Sequence, residues 1–188
     1  MNAIKKFYSY YKEFLYDSSV NIKDRTFMLF TVSEMAALLI FATVSIFLGE
    51  NISSVFILLL GVLTGIVLLY VFAKKNMLKT AKIVLTLILV LGLRPVAFFT
   101  KGGIDNGTLI MFLLGGYYLV LVLDGKFRIF MCILDTVFLL ACAIISYYNP
   151  QLLPEYSKES DFVFSLTQYV IALAVLTIQI TFWTKILQ

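Results

Sequence analysis

Apolar residues crowd this chain into six long runs with short polar stretches between them, at about 26–48, 53–73, 83–99, 108–123, 127–148 and 162–186. Each run is near the ~20 residues that a helix needs to cross the hydrocarbon core of a bilayer. Ahead of them, Ile4, Phe7, Tyr8, Tyr11, Phe14 and Leu15 recur at helical spacing, with Lys5, Lys6, Lys12 and Glu13 filling the other side. That pattern predicts an amphipathic helix lying in a membrane interface. A short polar segment, 17–25, follows it. The pattern as a whole predicts an all-α membrane protein: a six-transmembrane helix bundle at 26–188, preceded by a cytoplasmic amphipathic and basic segment at 1–25.

The most irregular connection lies between the third and fourth runs. It opens with Arg94, still inside the apolar run, followed at once by Pro95. It closes on Gly102, Gly103 and Gly107, with the turn pair Asn106-Gly107. Pro95 removes a helical hydrogen bond and can kink the third helix at Arg94. Two expectations attach to the glycines. One is a plain turn between membrane helices. The other is an outer-face ligand site formed by Gly102, Gly103, Asp105 and Asn106 with Arg94 below it. The glycine stretch lacks the Gly-Lys-Ser/Thr ending of a phosphate-binding loop.

Composition narrows the class further. The chain is 61% hydrophobic and 14% charged, too apolar for a soluble domain of 188 residues. It contains no histidine, which excludes imidazole catalysis and His-ligated metal or haem sites. Cys132 and Cys142 lie ten residues apart in one run, ~15 Å along a helix and too far for a disulfide. Neither a metal site nor another cofactor is expected, and no nucleophile, base and metal ligands converge, so the reading is a non-enzyme.

Charge fixes an orientation. With the N-terminus inside, the inner segments hold Lys5, Lys6, Lys12, Lys23, Arg25, Lys74, Lys75, Lys79, Lys82, Lys126, Arg128 and Lys185, twelve of the fifteen cations. The outer loops hold only Lys101 and Lys158, with Glu50, Asp105, Glu155, Glu159 and Asp161. The positive-inside rule then places both termini in the cytoplasm. The net charge of +4 reflects that orientation rather than nucleic-acid binding.

Three ionisable residues fall inside the runs: Glu34, Arg94 and Asp135. An unpaired charge at such depth is costly, so each should face the bundle interior. The two acids sit at one depth, and Arg94 only ~5 Å further out, within reach of a long side chain. The depths leave three options open: a charged core that senses or transmits, a structural ion pair to either acid, or an arginine reaching for the outer interface. On the fifth run Cys132, Asp135, Leu139, Cys142 and Ser146 form one stripe. On the sixth, Asp161, Ser165, Gln168, Ala172 and Gln179 do so. Gly61 and Gly65 make a G-x-x-x-G on the second. Such small and polar residues pack and hydrogen-bond between membrane helices.

Four segments taken together are similar to a known arrangement: 23–27 (KDRTF), 98–107 (FFTKGGIDNG), 124–128 (DGKFR) and 146–150 (SYYNP). In this order they resemble the N-terminal six-helix membrane sensor region of Firmicute signalling proteins, membrane histidine kinases and GGDEF diguanylate cyclases. The resemblance covers about residues 20–188. It implies a sensory input module in a bacterial cytoplasmic membrane, without an output domain in this chain. Such a module takes up an unknown small ligand or an intramembrane signal and relays it through the sixth helix to a cytoplasmic effector. A homodimer through the sixth helix and contact with the lipid bilayer are implied as well. The competing expectation is a transport component, either the substrate-binding subunit of an importer or a proton-coupled carrier using Glu34 or Asp135.

Overall fold

The computed structural model describes residues 2–49, 52–74, 77–104, 108–155 and 157–187. Glu50 and Lys75, counted above among the loop charges, lie outside the described residues. Every regular element among the described residues is helical. The main helices are α1 (Asn2–Tyr16), α2 (Ile22–Phe47), α3 (Ile52–Lys74), α4 (Leu78–Thr100), α5 (Thr108–Val122), α6 (Gly125–Tyr148) and α7 (Lys158–Leu187). Four of them, α2, α4, α6 and α7, are long and apolar enough to cross a membrane. α3 and α5 carry shorter described apolar stretches. At 1.5 Å per residue α5 is only ~22 Å long.

Three helices begin four or five residues before their apolar runs, because their first turns take in polar residues. Asn21 caps α2, its side chain accepting from the Lys23 amide at 2.9 Å, and Asp24 follows in the first turn, where the helix dipole favours an acid. Ser157 caps α7, its hydroxyl accepting from the Ser160 amide at 3.2 Å, with Glu159 and Asp161 in the first turn. α4 starts at Leu78, five residues before the run at 83, because Lys79 and Lys82 interrupt the apolar pattern without ending the helix.

α2 sits at the centre of the bundle and packs against α1, α3, α5 and α7. α4 closes the bundle against α3, α5 and α6, and α6 also lies against α5. Phe27, Met28, Leu119, Val122 and Met131 are fully buried in the shared core, and Phe30 meets Tyr118 edge-on at 5.3 Å. The opposite faces are apolar too. On α6, Phe130, Ile133, Val137, Leu140 and Ile144 form an exposed stripe at helical spacing. So much outward apolar surface has no place in water and is the face a lipid chain would cover.

Ion pairs and loops mark two ends. At one end Lys23 pairs with Asp124 and donates to the Leu123 carbonyl, while the neighbouring Asp24 pairs with Lys82 at 2.5 Å. This ties the start of α2 to the start of α4 and to the α5–α6 turn. The Lys23 ammonium holds the Asp124 carboxyl below the usual carboxylate range. At the other end Lys101 reaches Ser45 of α2, and Gly103 packs on Leu153. α1 docks by Leu15, Tyr11 and Phe14, and burial raises the Tyr11 phenol to about 12. Arg25 reaches the Leu15 carbonyl at 3.5 Å, a cation at the C-terminal end of α1.

Candidate functional site

The site begins with a fault in α4. Pro95 has no N–H, and in a regular helix its ring would crowd the carbonyl four residues back. α4 answers with one wide turn, Leu89–Leu93, in which the Arg94 amide donates to the carbonyl of Leu89, five residues back. One extra residue in a turn rotates everything beyond it by ~100°. Helical side chains also lean toward their own N-terminus, which carries the Arg94 side chain back toward the Leu78 end of α4. There it forms a buried salt bridge through Nη1 to Asp135 on α6.

A glycine makes room for that reach. The guanidinium of Arg94 lies directly over Gly115 on α5, where any Cβ would overlap it. The next residue, Gly116, faces open space. Arg94 is 8% exposed and Asp135 5%, so both charges have left bulk solvent. Pairing offsets part of that cost.

Beside the salt bridge is a cavity of about 90 Å³ between α2, α3, α4, α5 and the middle of α7. Its polar lining includes Glu34, Arg94, Tyr118 and Thr108, and most of the rest is apolar. Glu34 is close enough to Arg94 for their charges to interact, yet its carboxylate makes no hydrogen bond or ion pair among the described residues. The hydroxyls of Tyr118 and Thr86 lie 3.4 Å apart. Thr108 is 2% exposed and its hydroxyl has no partner among the described residues. Gly61 and Gly65 line the α3 side, where a Cβ would come within 3.2 Å of Leu38 and 2.9 Å of Met35 respectively.

Not every residue singled out in the sequence comes to this cavity. Arg94, Asp135 and Glu34 come together, with Asp135 behind Arg94 and outside the lining. Gly102 and Gly103 do not join them. Both have positive φ, 85° and 71°, and the Gly103 amide donates to the Phe98 carbonyl at 2.9 Å, so they wind off the end of α4. Asp105 and Asn106 lie outside the described residues. On α7, Gln168 and Gln179 are buried, and Asp161 and Ser165 are partly so. Polar atoms of Asp161, Gln168 and Gln179 have no hydrogen-bond partner among the described residues. They follow the α7 face that packs on α2 and α5 without lining the cavity. Lys101 was counted only as an outer-loop charge. It is buried, bonded to Ser45 at 2.8 Å, with its ammonium 4.8 Å from the centre of the Phe164 ring. Its flanking Phe98 and Phe99 were the available signal. Nothing in the sequence marked Thr108 or Gly115.

Fold and site define a class: a protein helical throughout its described residues, with helices long and apolar enough to cross a membrane packed around a cavity that holds charged residues. No protein-family model, no curated protein and no solved structure matches the chain.

Proposed function

We propose that this chain is the membrane-embedded input module of a bacterial signalling system, with six crossings, both termini in the cytoplasm and α1 on the inner membrane surface. A small molecule enters the cavity beside Arg94, and the change passes along α7 to a cytoplasmic effector. The cavity is the observation that carries this reading. It joins the charged residues of α2 and α4 to Val175, in the middle of α7. A ligand shifts such a bundle only by binding its two states unequally, and a charge pair beside the ligand space supplies unequal contacts. The transport reading draws on the same cavity, through the uncompensated Glu34.

Topology is tested by reporter fusions. Those after residues 76, 126 and 187 are expected to report cytoplasm, and those after 104 and 155 the outside. An outside signal after 76 would remove α3 as a crossing and leave a bundle with fewer spans.

Function is tested by fusing a coiled coil and a kinase output domain after Leu187. Thr108→Phe fills the cavity from the α5 side and is expected to hold the output in one state at unchanged protein level. Output identical to that of the unsubstituted fusion would count against signalling. Solute uptake into vesicles that depends on Glu34 would favour transport.

A further inference from the structure

Charge counting around the cavity selects a ligand class. Arg94 and Asp135 neutralise one another, and Glu34 is left over. A carboxylate alone in an apolar cavity is costly and is balanced either by a proton or by a cation. The charged and titratable groups facing Glu34 are few. Arg94 comes from α4 and is already paired; Tyr118 comes from α5 and is bonded to Thr86. α3 and α7 present Gly61, Gly65 and Val175, and α1 does not line the cavity. Thr108 supplies an independent sign of a ligand: it lines the same space, is 2% exposed, and its buried hydroxyl has no partner among the described residues.

Three kinds of occupant can be compared. An anion would meet the remaining N–H groups of Arg94, but its own charge would stay uncompensated, because Asp135 already neutralises Arg94. A neutral molecule would leave Glu34 as it is. A cation can take the place of the proton on Glu34 and keep the site neutral. Size is the second constraint. An engineered apolar cavity of ~150 Å³ holds benzene, so 90 Å³ suits a molecule of about four heavy atoms.

We propose that the cavity binds a small organic monovalent cation, a primary ammonium compound, with Glu34 as its counter-ion. This rests on the reading that the cavity receives a small molecule. Binding is an exchange: the ammonium enters with its charge, the Glu34 carboxyl gives up its proton to solvent, and net charge is unchanged.

The test uses three probes of similar size: n-propylammonium, 1-propanol and propionate. Each is titrated calorimetrically into the full chain in neutral detergent, in two buffers of different ionisation enthalpy so that released protons are counted. n-Propylammonium is expected to bind tightest and to release close to one proton. Glu34→Gln is expected to weaken it by about tenfold or more, the loss of a charge-assisted contact, while Glu34→Asp retains proton-linked binding. Thermal unfolding of each variant confirms that it is folded. Propionate or propanol binding tightest, or Glu34→Gln binding n-propylammonium unchanged, would overturn the cation assignment while leaving a ligand-binding cavity. No binding by any of the three would overturn both.

Discussion

Gly115→Ala is expected to destabilise the protein by about 2–4 kcal/mol, while Gly116→Ala, one residue on, is expected to be neutral or stabilising by up to ~1 kcal/mol. Both glycines lie in the middle of α5, and both substitutions improve helix propensity. Only Gly115 faces a charged side chain at contact distance. A methyl group there overlaps the Arg94 guanidinium, which is buried and held by Asp135. Either Arg94 leaves its partner or α5 moves away from α4, and both outcomes undo buried packing. Unfolding in detergent, followed by heat or denaturant, measures the difference. The decisive comparison is Gly115→Ala in an Arg94→Met background. The cost should fall to nearly that of Gly116→Ala, because the flexible thioether can move aside. An equal cost in both backgrounds would mean that Gly115 serves helix packing alone.

Much of the architecture was legible in the chain because bilayer length and helix rise leave few choices. The apolar runs became helices. Asn21 and Ser157, polar residues at the edges of runs, moved the starts of α2 and α7 outward. Depth could be read as well: counting residues put Glu34, Arg94 and Asp135 near one level. Depth does not fix azimuth, however. Which acid Arg94 meets depends on the wide turn at Leu89–Leu93, which rotates it, and on the absence of a side chain at Gly115. The first is one of two local answers to Pro95, and the second comes from a different helix. Pro95 announced a fault in α4, yet a kink and a wide turn satisfy the same missing hydrogen bond and aim the next side chain differently. The cavity was illegible for a related reason. It is space left between five helices, and only their packing says that Glu34 and Thr108 face the same space. Lys101 stays in the turn after α4, but a lysine beside glycines suggests an exposed side chain, whereas it is buried and its ammonium meets Ser45 of α2 and the Phe164 ring of α7.

The partnership of Arg94 with Asp135 rather than Glu34 gives the second large effect. Arg94→Ala is expected to destabilise the protein by about 3–5 kcal/mol, since it leaves Asp135 buried without its counter-charge. Asp135→Leu alone strands the guanidinium and should cost a comparable amount. The double variant Arg94→Leu, Asp135→Leu removes both charges and is expected to recover about 1–3 kcal/mol relative to the sum of the single changes. Proton uptake by the stranded acid would soften Arg94→Ala and shrink the coupling without changing its sign. Glu34 behaves differently in the same experiment. It has no bonded partner among the described residues, so Glu34→Leu is expected to couple to Arg94→Leu more weakly than Asp135→Leu does. A larger coupling to Glu34 than to Asp135 would reassign the ion pair and remove the leftover charge on which the cation site depends. The two acids at one depth would then have exchanged roles, Asp135 becoming the uncompensated carboxylate behind the cavity and Glu34 the structural partner within it.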